Sequence, residues 1–391
     1  MSRTSARLVA GVMSGTSGDG IDTALLRLDG DPQAPAWELL GFRTDPYTPD
    51  LAEEVLAAAD REDLDIAATA SLHVRLGRAY ARALGNLIEQ TDVAPHELDA
   101  VGLHGQTILH DPEGDPPVSV QIGSAAEVAE ALGCDVVSDF RSRDLAVGGQ
   151  GAPLVPFADA ALLRSSSNER VALNIGGIAN VTWLPAGSGI EGVSGFDTGP
   201  GNMVMDGLVR LGTGGKQAFD VDGELARRGQ VVPELLETWL QHPFFERKPP
   251  RSTGREMFGR SFVMEVWEKH GTQVPLADLV ATAAMLTVES IARACERFLP
   301  TAAGDRQVIV GGGGARNPRL MELLSERLDP SAVIPSDACG IPVDAREAIA
   351  FALLAYAFLN GVPANLPAVT GADRSVLLGS LTPGRVGSED S

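Results

Sequence analysis

Glycine, hydroxyl and carboxylate residues are concentrated near the start of the chain, between two apolar runs. They are Gly15, Thr16, Ser17, Gly18, Asp19, Gly20 and Asp22, and Ile21 completes the stretch. Glycines let backbone N–H groups approach an anion closely, and serine and threonine hydroxyls add further donors. The stretch therefore predicts a strand–loop–strand that can bind the terminal phosphates of a nucleotide. An ordinary glycine-rich β-hairpin explains the same residues about equally well.

The carboxylate of Asp197 is a second group that can do chemistry, because it stands just before a Gly-Pro-Gly run and a predicted helix. There it can accept a proton as a general base while nearby N–H groups face phosphate. The same loop supplies Gly199, Gly201 and Asn202 as candidate phosphate-binding residues. The alternative is that Asp197 caps the helix, a common use of aspartate. Its Asp-Thr-Gly sequence also occurs in aspartic proteases, but they need a second catalytic aspartate, and the chain repeats neither this tripeptide nor Asp-Ser-Gly.

A third glycine-rich loop covers residues 311–318 and follows a predicted strand. We interpret Gly312, Gly313 and Asn317 as candidates for binding the nucleoside, although a flexible turn is equally compatible with them. Neither common nucleotide motif is present. The Gly-Gly-Lys run at 214–216 is followed by Gln217 rather than by serine or threonine, and the third glycine of a dinucleotide fingerprint is replaced by Asn317.

Four further side chains can bind the hydroxyls or the charge of a sugar. His104 and Gln106 follow a short predicted strand and can donate and accept hydrogen bonds. Arg141 can hold a carboxylate with its planar guanidinium, and Glu347 begins an apolar helix. Structural roles stay open for all four: a buried histidine, a loop amide, a helix-dipole acid and, for Arg141, an ion pair to Asp139 or Asp144.

Apolar runs that end in glycine-rich turns alternate with helical patterns along the chain. Strands are predicted on both sides of the first loop and at 37–42, 100–103, 135–137, 171–175, 178–183 and 307–310. Helices are predicted at 51–59, 64–89, 124–132, 203–211, 278–298, 319–328 and 345–359. This alternation indicates an α/β protein with two sheets. The 171–183 stretch repeats the layout of the chain start, and a polar break at 165–168 marks a predicted domain boundary.

The composition narrows the class of protein. The 391 residues carry a net charge of −21, which argues against a nucleic-acid or anionic membrane partner. The three cysteines are widely spaced, as in proteins of a reducing compartment. No signal peptide or membrane span is predicted. We therefore expect a cytoplasmic protein.

Taken in order, several motifs resemble those of the anhydro-N-acetylmuramic acid kinase family. They are GVMSGTSGDGID at 11–22, HGQT at 104–107, DFR at 139–141, GGQGAPL at 148–154, NIGGIAN at 174–180, GFDTGPGN at 195–202, PRSTGRE at 250–256 and GGGGARNP at 311–318. The resemblance covers nearly the whole chain up to about residue 366.

The resemblance implies two actin-like (RNase H-like) domains with an ATP and sugar cleft between them. Residues 1–165 with 346–391 would form one domain and residues 166–345 the other. It also implies the activity: ATP and water convert 1,6-anhydro-N-acetylmuramic acid into N-acetylmuramic acid 6-phosphate and ADP, in peptidoglycan recycling. Asp197 matches the family's catalytic aspartate, residues 15–22 its ATP loop, and His104, Gln106, Arg141 and Glu347 its sugar pocket.

Mg²⁺ is expected with ATP, and Asp19, Asp22 and Asp197 are its candidate ligands. A homodimer is a further expectation from the resemblance. Gly18 and Leu103 depart from the family pattern, which usually has a larger apolar residue and a small polar residue at these places; a looser phosphate loop and an altered pocket wall would follow. Two other functions stay open: a non-catalytic ATP-binding or sensing protein of the same fold, and a kinase for another sugar.

Overall fold

The computed structural model describes residues 6–15, 20–59, 65–301 and 306–384. The chain forms two compact units. Unit 1 contains Met1–Leu162 and Ala345–Ser391, and unit 2 contains Leu163–Asp344. The last segment of the chain therefore returns to the unit in which the chain begins.

The helices and strands are numbered in chain order. The elements before the second sheet are β1 (Arg7–Met13), β2 (Gly20–Asp29), β3 (Ala36–Pro46), α1 (Pro49–Ala59), α2 (Ile66–Ile88), β4 (Ala100–Leu103), β5 (Gln106–Asp111), β6 (Val118–Ile122), α3 (Ala125–Leu132), β7 (Asp135–Ser138), α4 (Ser142–Leu145) and α5 (Val155–Leu163). The elements that follow are β8 (Arg170–Ile175), β9 (Ile178–Leu184), β10 (Ser194–Pro200), α6 (Met203–Gly212), α7 (Glu224–Arg228), α8 (Pro233–Leu240), α9 (Arg255–Phe258), α10 (Arg260–His270), α11 (Leu276–Phe298), β11 (Gln307–Gly311), α12 (Pro318–Arg327) and β12 (Ala332–Pro335). The returning segment forms α13 (Arg346–Leu359), α14 (Pro367–Thr370) and β13 (Ser380–Thr382).

The two main sheets share one strand order. In unit 1 the order is β13-β7-β4-β1-β2-β3, and in unit 2 it is β10-β9-β8-β11-β12. In each unit, the first three strands form an antiparallel meander, and two later strands add in parallel on the other side of the first strand. The α/β fold with two sheets of the same design is therefore confirmed, as expected for actin-like (RNase H-like) domains.

Helix α13 packs very closely on the sheet of unit 1, and two glycines make this possible. A Cβ atom on Gly11 of β1 would lie 1.9 Å from the carbonyl oxygen of Ala348, and one on Gly102 of β4 would lie 2.0 Å from that of Phe351. Neighbouring strand residues point to opposite faces. Ala10 and Val12 accordingly belong to the core on the other face, which also contains α2.

Helix α2 shows how local sequence sets the ends of an element. Asp65 accepts hydrogen bonds from the N–H groups of Ala67 and Ala68 and so caps the first turn. The predicted apolar stripe becomes buried from Leu72 onward and ends at Ile88. In unit 2, α11 is buried along most of its length within the main core, together with α6, α8 and α12.

Three expectations from the sequence need correction or comment. Residues 194–200 form strand β10, whereas we interpreted the Asp-Thr-Gly-Pro run as a loop. Leu103 is 1% exposed and belongs to the hydrophobic core of unit 1, so the prediction that it forms a pocket wall is wrong. Gly18 lies outside the described residues.

Candidate active site

Asp197 lies in the middle of β10, an edge strand of the second sheet. Its carboxylate is partly buried, and Oδ2 accepts a hydrogen bond of 2.9 Å from the N–H of Thr253. Oδ1 has no partner among the residues that the structure describes. The helix-capping alternative is wrong, because Asp197 is a strand residue and α6 begins at Met203.

Burial raises the pKa of Asp197 to about 7, although the Thr253 N–H and the charge of Arg251 act to lower it, and Glu256 adds to the rise. Such a carboxyl group is part protonated and part ionised at neutral pH. A pKa near the working pH is what a general base requires.

The glycines after Asp197 are explained by close packing. Gly199 has a φ of +150°, and a Cβ atom there would lie 2.8 Å from the Phe245 ring. A Cβ atom on Gly201 would lie 2.3 Å from the carbonyl oxygen of Gly176. The N–H groups of Gly201 and Asn202 already donate to the carbonyls of Gly177 and Gly176, both at 2.8 Å. These N–H groups are thus engaged within the protein.

The third glycine loop is an ordered turn rather than a flexible one. Gly312 has a φ of +78° and is followed by a 3-10 turn over Gly313–Arg316. The side chain of Asn317 accepts a hydrogen bond from the N–H of Leu320 at 3.1 Å and caps α12. Among the described residues, a Cβ atom on Gly313 would meet only the Asn202 amide, at 3.6 Å, so these residues leave the space beside this glycine open.

The first glycine loop joins β1 and β2, which pair with Met13 opposite Asp22. The predicted strand–loop–strand is therefore present. Gly15, Gly20, Ile21 and Asp22 lie within the described ranges, and Thr44 donates a hydrogen bond to Asp22. Thr16, Ser17, Gly18 and Asp19 lie outside the described residues.

In unit 1, Arg141 and His104 are in direct contact although they stand far apart in sequence. Nε and Nη2 of Arg141 lie 3.1 and 2.8 Å from Nε2 of His104, and Nη1 donates to the carbonyl of Gly151 at 2.7 Å. Burial, and then the Arg141 charge, hold the pKa of His104 well below its usual range. The histidine is therefore neutral, with Nε2 as the acceptor and the proton on Nδ1.

Arg141 forms no ion pair with Asp139 or Asp144 in the described structure, contrary to the alternative interpretation. Burial lowers its pKa to about 10, and the charges of Glu347 and Asp144 act to raise it. A guanidinium has five N–H groups, so Arg141 keeps donors beyond these three contacts.

The loop that carries Arg141 is fastened by the buried carboxylate of Asp144. This carboxylate accepts hydrogen bonds from the N–H of Gly151 at 2.7 Å, from the Asn365 amide at 2.8 Å and from the Thr370 hydroxyl at 2.8 Å. Gly151 is also the residue whose carbonyl Arg141 binds. The returning segment of the chain thus helps to hold Arg141 in place.

Gln106 and Glu347 differ in their surroundings. Gln106 is 1% exposed and accepts a hydrogen bond from the hydroxyl of Ser14, which lies 2.7 Å from the Tyr47 hydroxyl. Glu347 lies in the first turn of α13 and is partly buried. Burial raises its pKa, while the charges of Arg346 and Arg141 act to lower it.

A family model described as "Anhydro-N-acetylmuramic acid kinase" matches residues 7–384. The chain belongs to the anhydro-N-acetylmuramic acid kinase family. Proteins of this name are similar to it along nearly their whole length. The one from Gloeobacter violaceus is 44% identical over 378 residues, which cover 96% of this chain and 98% of the relative. The one from Caldanaerobacter subterraneus is 42% identical over 384 residues, which cover 96% and 97%.

Membership of the anhydro-N-acetylmuramic acid kinase family makes the protein a sugar kinase and supports ATP as its phosphoryl donor. Within the ranges that the structure describes, no helix is long and apolar enough to cross a membrane.

Three residues of this kinase make contacts that sequence reasoning did not predict, two of them in unit 2 and one in unit 1. Arg251 and Thr253 contact Asp197, and Asp144 fastens the Arg141 loop. The PRSTGRE motif at 250–256 was the available signal for the first two. No local pattern indicates that Asp144 is buried, because its partners Asn365 and Thr370 come from the far end of the chain.

Proposed function

We propose that this protein opens the anhydro ring of 1,6-anhydro-N-acetylmuramic acid with water and phosphorylates O6, and that Asp197 is the base. The observation that carries the proposal is the Asp197 carboxylate. It has one oxygen fixed by Thr253, a second oxygen without a partner in the described structure, and a pKa of about 7.

The reaction balances as follows. A water molecule attacks C1 of the sugar, and Asp197 takes a proton from it. The C1–O6 bond breaks, and its electron pair stays on O6. O6 then bonds to the γ-phosphorus of ATP as ADP leaves. The products are N-acetylmuramic acid 6-phosphate and ADP, and Asp197 releases its proton to solvent. Positioning and charge stabilisation carry most of the catalysis in such a transfer.

We assign sugar binding to His104, Gln106, Arg141 and Glu347. The substrate has a lactyl carboxylate, and the spare N–H donors of Arg141 suit such a group. The neutral His104 holds the guanidinium in one orientation, and its Nδ1–H has no partner in the described part of the chain and is buried. That proton can be given to a sugar oxygen. Gln106 has its oxygen engaged by Ser14, so its amide N–H groups are the more available part.

For the nucleotide, we assign phosphate contacts to residues 15–22 and nucleoside contacts to the Gly312–Asn317 loop. The open space beside Gly313 supports this, because a ligand can approach the backbone there. The packing roles of Gly199 and Gly201 are compatible with nearby phosphate. The N–H of Gly201 already donates to a carbonyl of the protein, so we do not assign the backbone N–H groups of Gly199 and Gly201 as phosphate donors.

We propose Mg²⁺ as the metal that accompanies ATP. Among the described residues, no group of three or more His, Cys, Asp or Glu side chains could hold a metal ion. A nucleotide-bound Mg²⁺ needs only one or two protein carboxylates, because phosphate and water supply its other ligands. Asp22 and Asp197 fit that need, and Asp19 is a third candidate outside the described residues. When bound, the ion would neutralise charge on the phosphates.

We also infer a cytoplasmic setting and, from the family resemblance, a homodimer. Cys134 and Cys295 are free and buried, and burial raises the pKa of both thiols to about 12. Protonated, buried thiols are compatible with a reducing compartment. The net charge of −21 argues against nucleic acid as a partner. Mass photometry across a dilution series would test the dimer.

The test uses ATP, the anhydro sugar and ¹⁸O-labelled water. We expect a sugar 6-phosphate with one ¹⁸O atom at C1 and an equal amount of ADP. N-acetylmuramic acid with its ring already open serves as the comparison substrate. Faster phosphorylation of that sugar would make the protein a kinase for another substrate, and ADP without any sugar phosphate in every assay would contradict the proposal.

A further inference from the structure

Arg251 is buried, and no described carboxylate pairs with its guanidinium. It is 6% exposed, and no ion pair to it occurs in the parts of the chain that the structure describes. Its guanidinium carbon lies 4.8 Å from the ring centre of Phe244, 4.9 Å from that of Phe298 and 5.5 Å from that of Phe196. Taking a guanidinium out of water is costly. Packing alone therefore does not explain why a buried arginine stands at this position.

The donors of Arg251 are directed at the backbone around Asp197. Nε donates to the carbonyl of Asp197 at 2.8 Å, and Nη2 lies 3.4 Å from the carbonyl of Thr198. Nη1 donates to the carbonyl of Arg247 at 3.0 Å and to that of Phe245 at 3.4 Å. The four contacts join the middle of β10 to the 245–251 segment.

The residues next to Arg251 complete the hold on Asp197. The N–H of Asp197 donates to the carbonyl of Arg251 at 3.2 Å, and the N–H of Thr253 donates to the Asp197 carboxylate. Both backbone groups of Asp197 and one of its carboxylate oxygens are therefore fixed by residues 251–253. The segment also covers β10 on its outer edge, where the sheet leaves backbone groups unpaired.

The register of β10 explains why such a hold is needed. The pairing of β10 with β9 is regular up to Asp197 and shifts before Gly199, so Thr198 is an extra residue in the strand. A bulge of this kind bends the strand and changes the direction of a side chain beside it. Arg251 binds the carbonyls on both sides of the Asp197–Thr198 peptide junction.

We propose that Arg251 is a positioning residue, whose guanidinium fixes the bulged backbone at Asp197 and so sets the direction of the Asp197 side chain. The inference rests on the proposed role of Asp197 as the base. The charged groups that face the pair are Glu256, which opposes ionisation of Asp197, and Arg297, which lies near Arg251.

The first variant is Arg251→Met, which keeps an apolar side chain among the three rings but removes the charge and the donors. We expect kcat to fall about 10- to 100-fold with the KM for ATP little changed, because orientation of the base is lost. A merely structural role would not confine the loss to kcat while the KM for ATP stays the same.

The control is Arg297→Met. Arg297 lies 5.3 Å from the ring centre of Phe298, the same ring that Arg251 contacts, but it is exposed and pairs with Glu246. It makes no hydrogen bond to Asp197 in the described structure. We expect its kcat and KM values to stay close to those of the starting protein. If Arg251→Met and Arg297→Met have the same kcat, the inference is wrong.

Chemical rescue covers the case in which Arg251→Met folds poorly. A cavity of about 80 Å³ adjoins Arg251 and is lined by Phe245, Ser290 and Phe298, among others. Arg251→Ala enlarges it, so guanidinium ion can enter. We expect guanidinium at tens of millimolar to restore activity, whereas urea, which is neutral and of similar shape, does not. Equal effects of the two additives would overturn the inference.

Arg251→Lys separates charge from geometry. We expect its kcat to fall with the KM for ATP little changed, since lysine keeps the charge but cannot bind four carbonyls. A lysine variant with full kcat would show that the carbonyl contacts do not position the base. Failure of the underlying assignment is distinguishable: then Asp197→Asn itself would retain activity.

Discussion

Replacing Asp197 by asparagine should remove activity and, above neutral pH, stabilise the protein. Asparagine keeps an oxygen to accept the Thr253 N–H but cannot accept a proton. We expect kcat to fall by about 10²- to 10⁴-fold, the range that a general base contributes. The loss should persist at every pH, since no ionisation of the variant restores a base.

The effect on stability follows from the pKa of about 7. The folded protein binds the Asp197 proton more tightly than the unfolded chain, in which the pKa is about 3.9. Below pH ~4, the Asp197 carboxyl group is protonated in both states, so its raised pKa does not change the free energy of unfolding. As the pH rises to 7, the unfolded chain ionises first and the folded state is progressively destabilised. The pKa difference between the two states corresponds to a destabilisation of roughly 4 kcal/mol. Because the side chain is partly exposed, we expect Asp197→Asn to raise the free energy of unfolding by only about 1–3 kcal/mol at pH 8.

The assay is urea unfolding of both proteins at pH 4.5 and pH 8, together with the kinase assay. Asp206→Asn is the matched control, because burial also raises the pKa of Asp206 to about 7 and the proposed mechanism does not use it. We expect this control to gain stability with pH in the same way and to keep its activity. The reasoning about the base is refuted if Asp197→Asn turns over at the original rate. The reasoning about burial is refuted if neither variant gains stability at pH 8.

Three other predictions follow from contacts in unit 1. Arg141→Lys should raise the KM for the anhydro sugar at least about tenfold and leave that for ATP unchanged, because lysine cannot bind His104 with a planar fork; equal KM values for the sugar would contradict this. Asp144→Asn should lower the free energy of unfolding by roughly 2–4 kcal/mol in urea titrations, because the new amide faces existing donors. Gly11→Ala should lower the free energy of unfolding by roughly 3 kcal/mol in the same titrations. Gly85→Ala in α2, where a Cβ atom meets no described residue within 4 Å, should raise it by about 0.5–1 kcal/mol. A tolerated alanine at Gly11 would contradict the close packing of α13.

The local sequence predicted the helices and strands whose hydrophobic residues recur at a regular spacing. Helix α2 and the hairpin of β1 and β2 lie where their patterns place them, because the burial of each depends on nearby residues. Strand β10 was missed because glycine and proline normally interrupt strands. As an edge strand with a bulge before Gly199, it tolerates both.

Candidate site residues could be chosen from the sequence, whereas their contacts could not be predicted from it. Asp197 could be chosen from its sequence surroundings, but its raised pKa depends on burial in unit 2. The contact of Arg141 with His104 spans 37 positions, and that of Arg251 with Asp197 spans 54. Such pairs depend on the order of the strands, which spacing along the chain does not reveal. The roles of the predicted site residues stay predictions until variants are measured.

The return of α13 to the sheet of unit 1 has a consequence for synthesis on the ribosome. Unit 2 is one uninterrupted stretch, so it can fold as soon as it has emerged. Unit 1 must wait, because the helix that contacts Gly11 and Gly102 is translated roughly three hundred residues after the first strand. Until then the nascent chain exposes one side of β1 and β4. A premature stop codon before α13 would therefore leave unit 1 incomplete, although it is begun first, while unit 2 would be complete.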